Sequence, residues 1–200
     1  MAITNGYATL VQVKARLGIG PTDTADDTTL EAMVTAVSRA IDNRCARRFW
    51  RDTSDATRYF TAQDWDVVWP GDMASVVSVA TDDGSRTYSD VWEASEYELT
   101  PYDAATDGWP YTAIRVSPTG RGFPVGLARG VRVVGRWGWP SVPDAITEAC
   151  CLITERLFQR RNAIFGVVGS PELGQLRGVL RLEDDSEVMA LLAPYVWMGV

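Results

Sequence analysis

The chain has 200 residues, of which 46% are apolar, enough to bury a core in one domain or in a domain carrying an insertion. A formal net charge of -7 argues against a protein that grips nucleic acid by neutralising phosphates, although local basic patches are compatible with it. The absence of histidine removes Ser-His-Asp and Cys-His catalysis, the common zinc sites and the usual proton shuttle.

In chain order, the first predicted element is a short helix at "TLVQVKARL". Thr9 and Gln12 have capping-box spacing, Leu10, Val13 and Leu17 form a stripe, and Gly18 ends it. An acidic linker leads to a longer helix, "TTLEAMVTAVSRAIDNRCARRFW". Here Thr28 and Glu31 repeat the capping-box spacing, and Leu30, Met33, Val34, Val37, Ile41 and Cys45 recur at three and four residues.

After Trp50 the period changes. "ATRYFTA", "ASVVSVATDDGSRTY", "EYELTP", "YTAIRVS" and "GVRVVGRWGW" are short, rich in Val, Tyr, Trp and Thr, and bounded by turn residues, with "DDGS" reading as a hairpin turn. Helical periodicity returns at "SVPDAITEACCLITERLFQRRN". Pro143 suits its first turn, and Ile146, Ala149, Cys150, Ile153 and Leu157 form one face to set against the stripe on residues 30–45. Asp185 or Ser186 can cap a last helix ending at Leu192 and Pro194. The fold class expected is α+β: a helical core of two long helices plus short terminal ones, residues 1–55 and 140–200, with a small antiparallel β unit inserted at 56–139.

Three cysteines fit reduced thiols, Cys45 and Cys150 as core residues. No run approaches the roughly 20 apolar residues of a membrane span, and the opening "MAITNGYATL" lacks a signal-peptide pattern, which points to a cytoplasmic protein. Trp65, Trp69, Trp92 and Trp109 could stack on sugars or simply cover a small sheet. Asp64 and Asp66, or Glu93, Glu96 and Glu98, could serve glycoside hydrolysis or form a solvated acidic face. In both cases the structural reading is favoured.

Arg39, Arg44, Arg47, Arg48 and Arg51 form a dense basic group that Arg156, Arg160 and Arg161 could join. Such a group can contact an anion or DNA, or complete helix C-termini and pair with acids on a neighbouring element or subunit; net acidity favours the latter. Between the last two helices "GSPELGQLRGVLR" is rich in glycine, and the final residues are apolar. That composition suits a region ordered by a partner, or an ordinary loop and a terminus folded onto its own core.

"YATLVQVKARLGI", "LEAMVTAVSRAIDNRCARRFW", "YTAIRV" and "GVRVVGRWGWPSVPDAITEACCLITERLFQRR" together resemble the head-to-tail connector (adaptor) proteins of long-tailed bacteriophages, over about residues 7–195. "QLRG" at Gln175 to Gly178 resembles the tetrapeptide by which one group of phage packaging and connector proteins is known. The resemblance implies a non-enzymatic virion protein without cofactor or metal, forming a cyclic ring of about twelve subunits beneath the portal. The ring would extend the DNA channel, with no sequence-specific DNA binding and no membrane, and offer its other face to a stopper or tail-completion protein. It also implies a portal-docking tail of Leu191, Leu192, Tyr195, Trp197 and Met198. A loop including Gly166, Gly169, Gly174, Gln175, Leu176, Arg177 and Gly178 would order on assembly. Arg44, Arg47, Arg48, Arg160 and Arg161 would be available for intersubunit or anion contacts. Another neck ring, such as a stopper or tail terminator, and a virion glycan-binding module are the competing readings. The implied location is the virion neck, after assembly in the host cytoplasm.

Overall fold

Five α-helices, a 3-10 turn and nine strands make up the secondary structure of a computed structural model that describes residues 2–161, 167–168, 176–177 and 185–197. Helices and antiparallel sheets are both present, so the fold is α+β. The chain divides into two units, one of residues 1–48 with 142–200 and one of residues 49–141.

In the first unit, α1 (Leu10–Leu17) begins with the expected capping box: Thr9 accepts the Gln12 amide and Gln12 reaches back to the Thr9 amide. Gly18 ends the helix in the left-handed conformation that glycine tolerates best. α2 (Asp27–Cys45) starts differently from the expectation. Its N-cap is Asp26, which makes no side-chain cap bond, and the Thr28–Glu31 box does not form because both residues already lie inside the helix. Lys14, the single lysine, supplies the tie instead. It is 4% exposed; its ammonium donates to Asp27 Oδ1 at 2.8 Å, to the Pro21 carbonyl and to the Asp23 carbonyl, fastening the linker between α1 and α2.

α4 (Asp144–Arg161) packs against α1, α2 and α5 (Ser186–Leu192). This explains why its buried set is broader than the single stripe expected. Ile146, Ala149 and Cys150 are buried as expected, but Cys151, Leu152, Thr154 and Phe158 join them while Ile153 and Leu157 are only half-buried. Leu30, Val34, Ile41, Val13, Ile146, Val188 and Leu192 have no measurable exposure. α5 is capped by Asp185, which accepts the Val188 amide, and passes into a single 3-10 turn at Ala193–Tyr195.

In the second unit, β1 (Ala56–Phe60), β7 (Val131–Trp137), β3 (Met73–Thr81) and β4 (Asp90–Val91) form an antiparallel sheet in that order. β2 (Val67–Val68), β6 (Ala113–Val116) and β5 (Tyr97–Thr100) form a second. A short helix, α3 (Ala104–Asp107), follows β5. Elsewhere β8 (Val167–Val168) pairs with β9 (Leu176–Arg177).

The core of this unit lies among Val68, Met73, Val79, Ile114, Phe123, Val131, Val133 and Trp137. β7 alternates strictly, turning Val131, Val133, Gly135 and Trp137 inward. "DDGS" does not make the tight hairpin its composition suggests. Asp82 accepts the amides of Gly84 and Arg86, opening a broader loop, and β3 spends most of its length on β7. Residues 49–55, expected with the helices, belong here because Phe49 packs on Trp139 with ring centroids 5.1 Å apart and the Asp52 amide donates to the Trp137 carbonyl.

Gly135 sits where β3 bulges past β7, and an added Cβ would collide with the Ser75 carbonyl oxygen. Gly135→Ala is expected to lower stability by about 1–3 kcal/mol, as overpacking does. Gly20→Ala, with open space around the new methyl, should be neutral or slightly stabilising. Urea unfolding of both variants checks this. Burial pushes the Cys45 and Cys150 thiols up to about 11 each, and raises Cys151 too. A thiol reagent at neutral pH should therefore label the native chain far more slowly than the urea-unfolded one.

Candidate assembly surfaces

Ion pairs join α4 to the elements around it. From α1, Arg16 reaches Glu148 at 2.8 Å and Glu155 at 2.7 Å, holding the Glu148 carboxyl below the usual range. Arg161, at the end of α4, pairs with Asp26 at 2.9 Å, and Arg156 reaches Asp185 and Glu187 at the start of α5. The Asp26 contact sets the C-terminal end of α4 beside the N-terminal end of α2, so the two long helices run antiparallel.

This geometry separates the two arginine groups that could have merged. Arg161 is at one end of α2 while Arg44, Arg47 and Arg48 are at the other, about 28 Å away along a helix of 19 residues. Arg156 and Arg161 are committed to acids within their own chain. At the C-terminal end of α2 the focus is Asp42. Desolvation raises its carboxyl above the ordinary value of 3.8, against the pull of the Tyr7 hydroxyl, of Arg39 at 3.2 Å and of Arg48. Arg44 and Arg160 are half-buried.

The C-terminal arm folds onto that same end of α2. The Trp197 amide donates to the Cys45 carbonyl at 2.8 Å and the Arg47 guanidinium lies 5.1 Å from the Trp197 ring. Of the expected docking residues, Leu192 is fully buried among the helices. Leu191, Tyr195 and Trp197 are half-buried, and Met198 lies outside the described residues. Leu176 and Arg177 fall in β9, whereas Gly166, Gly169, Gly174, Gln175 and Gly178 lie outside the described residues.

The tryptophans divide between core and surface. Trp137 and Trp139 are buried, their N–H groups donating to the Ala56 carbonyl and to Asp72; Trp92 stacks on Phe123 at 4.6 Å. Trp109 packs on Trp139, whereas Trp65 and Trp69 are exposed. Three of the five carboxylates considered for hydrolysis are engaged by neighbours: Glu96 by Arg121, Glu98 by the Tyr102 hydroxyl and Asp66 by Arg115 at 3.6 Å. Arg121 keeps the Glu96 carboxyl below its usual value, the opposite of what a general acid needs. Among the described residues no group of His, Cys, Asp and Glu could hold a metal ion, and no helix is long and apolar enough to cross a membrane.

No family model matches the chain, and no curated protein does. Solved structures do share its fold. A chain from the neck of a native GTA particle computed with C12 symmetry superposes with a TM-score of 0.58 at 17% identity. A chain from the neck of an empty GTA particle computed with C6 symmetry gives 0.57 at 18%, and one from the virion of a native gene transfer agent (GTA) particle gives 0.56 at 19%. Each match covers 100% of this chain and 94% of the other.

The Asp42 environment has a pH signature. Because the native state holds this proton more tightly than the unfolded chain, the group withdraws stability as pH rises from 3.8 through its raised value. The stability of the wild type relative to Asp42→Asn should therefore fall across that interval, read from urea midpoints of the two proteins at matched pH; with no histidine in the chain, nothing of that kind titrates just above it.

Proposed function

We propose that this chain is a structural protein of a phage-type virion neck: a head-to-tail adaptor that forms a ring beneath the portal, extends the DNA channel and joins the capsid to a stopper or tail-completion protein. The observation that carries this reading is the whole-chain fold likeness to chains from GTA necks, added to the adaptor-like residues at both long helices and at "GRWGWPSVPDAI". A ring of about twelve copies agrees with cyclic closure by a head-to-tail interface. An excess of acid suits a channel through which DNA slides, since repulsion replaces phosphate contacts. The chain acts here without catalysis and without a cofactor.

Docking on the portal falls to the end of the arm, with Tyr195 and Trp197 as aromatic anchors and Leu191 beside them. Assembly takes place in the host cytoplasm and ends at the capsid vertex.

The test is co-sedimentation and electron microscopy with the portal ring encoded by the same genome, using the full chain and a truncation that ends at Val196. The full chain is expected to add a ring below the portal and the truncation to bind at least about 10-fold more weakly, the loss typical of an aromatic anchor. A full chain that ignores an intact portal overturns the adaptor reading in favour of a stopper or terminator ring. Binding by the truncation at full strength moves the docking site away from the arm.

A further inference from the structure

Most arginines described above are matched by carboxylates, but two are not: Arg132 on β7 of the four-stranded sheet and Arg129 in the loop just before that strand. Tyr59 on β1 stands directly across from Arg132 on β7, so the register puts them on one face. The loop after β3 brings Tyr88 against Tyr59, with ring centroids 5.1 Å apart. Arg129 lies 4.6 Å from the Tyr59 ring and Arg132 lies 5.3 Å from the Tyr88 ring. Tyr59, Arg86, Tyr88 and Arg129 line a cavity of about 390 Å³, and Arg132 sits behind it, its guanidinium 3.5 Å from the Tyr88 carbonyl to which it donates.

The loops are held in this shape at a local cost. Arg86, Tyr88 and Arg129 all have positive φ, of 65°, 52° and 57°, a region uncommon for large side chains. The Tyr88 hydroxyl donates to the Arg129 carbonyl at 2.8 Å and Arg86 donates to the Ala128 carbonyl at 2.6 Å, locking the two loops together. Charge is balanced for only one of the three cations. Arg86 has Asp82 at 3.6 Å, whereas the guanidiniums of Arg129 and Arg132 pair with no carboxylate among the described residues.

We propose that this tyrosine–arginine pocket is a binding site for the carboxylates of an acidic peptide segment on another protein chain. Guanidinium forks match carboxylates in a bidentate manner; the exposed Tyr59 ring holds the Arg129 fork in place and offers apolar surface to the peptide's aliphatic atoms, while Arg132, stacked on the buried Tyr88, adds positive charge behind the pocket. Nucleic acid is disfavoured as the occupant. A strand of phosphates needs a row of cations, and here two uncompensated ones sit in a chain of charge -7, with the exposed Asp83 on the same loop.

Calorimetric titration of the full chain at low salt tests the site, with hexaglutamate and hexathymidylate as probes. Arg129→Asn is the main variant, since Arg129 is exposed and asparagine tolerates its left-handed backbone; Arg129→Asn with Arg132→Gln is the second. Hexaglutamate should bind the wild type and weaken roughly 10-fold in the single variant and further in the double one, as loss of charge-assisted hydrogen bonds requires. Thermal melting confirms that Arg129→Asn remains folded. The proposal is overturned by a wild type that does not bind hexaglutamate, by equal affinity in Arg129→Asn, or by hexathymidylate binding more tightly and losing that binding in the variants.

Discussion

Everything in the helical unit depends on α4 finding α2 across the intervening β-rich sequence. Leu30, Val34, Ile41, Ile146, Ala149 and Cys150 are removed from water together, and none of these side chains has a sufficient apolar partner within its own helix. Apolar burial is non-directional, so it leaves open how far one helix slides along the other. The charged contacts narrow that choice. Arg161 on Asp26 fixes one end, Arg16 grips two turns of α4 through Glu148 and Glu155, and Arg156 seats α5. Exposed pairs of this kind are worth at most about 1 kcal/mol each, so their part is to select the register of a core that burial stabilises.

The same residue type serves a different purpose in the β-rich unit. Arg58 lies over the Trp137 ring at 4.3 Å and Arg121 joins Glu96 to Asp90, so guanidinium planes cover tryptophan faces and tie loops together. Lysine, a compact strongly hydrated charge, could do neither as well, which gives the near-exclusive use of arginine a physical reason beyond base composition. Where arginine stacks without a carboxylate, at Arg129 and Arg132, the structure holds positive charge in an acidic chain. That charge is a feature of the surface and makes no evident contribution to the core.

The elements legible in the sequence were those decided locally. Thr9 and Gln12 make their capping box because nothing competes for them; Thr28 and Glu31 have the same spacing but lie inside α2, whose start is held by buried Lys14 on Asp27. The long strands could be read from Val, Tyr and Trp, but β2 and β4, at two residues each, exist only because β6 and β3 offer them a ladder. The broad loop after β3 follows from Asp82 capping two amides, a choice that "DDGS" alone does not reveal. The separation of Arg161 from Arg44, Arg47 and Arg48 needed the antiparallel setting of α2 and α4. The tyrosine–arginine pocket needed the β1–β7 register, which joins residues far apart in the chain.

How far the C-terminal arm can open for a partner is set by unequal contacts along it. Releasing Trp197 breaks one backbone hydrogen bond to Cys45 and one stacking contact with Arg47, together about 1–3 kcal/mol. Buried aromatic anchors at a protein interface can return as much. Peeling the chain back through α5 would also expose Leu192 and Val188, both without measurable exposure, and a buried leucine alone represents about 2–5 kcal/mol. The arm therefore has a natural stop at Leu192. Residues beyond it can leave their internal contacts at small cost, while α5 stays in the core.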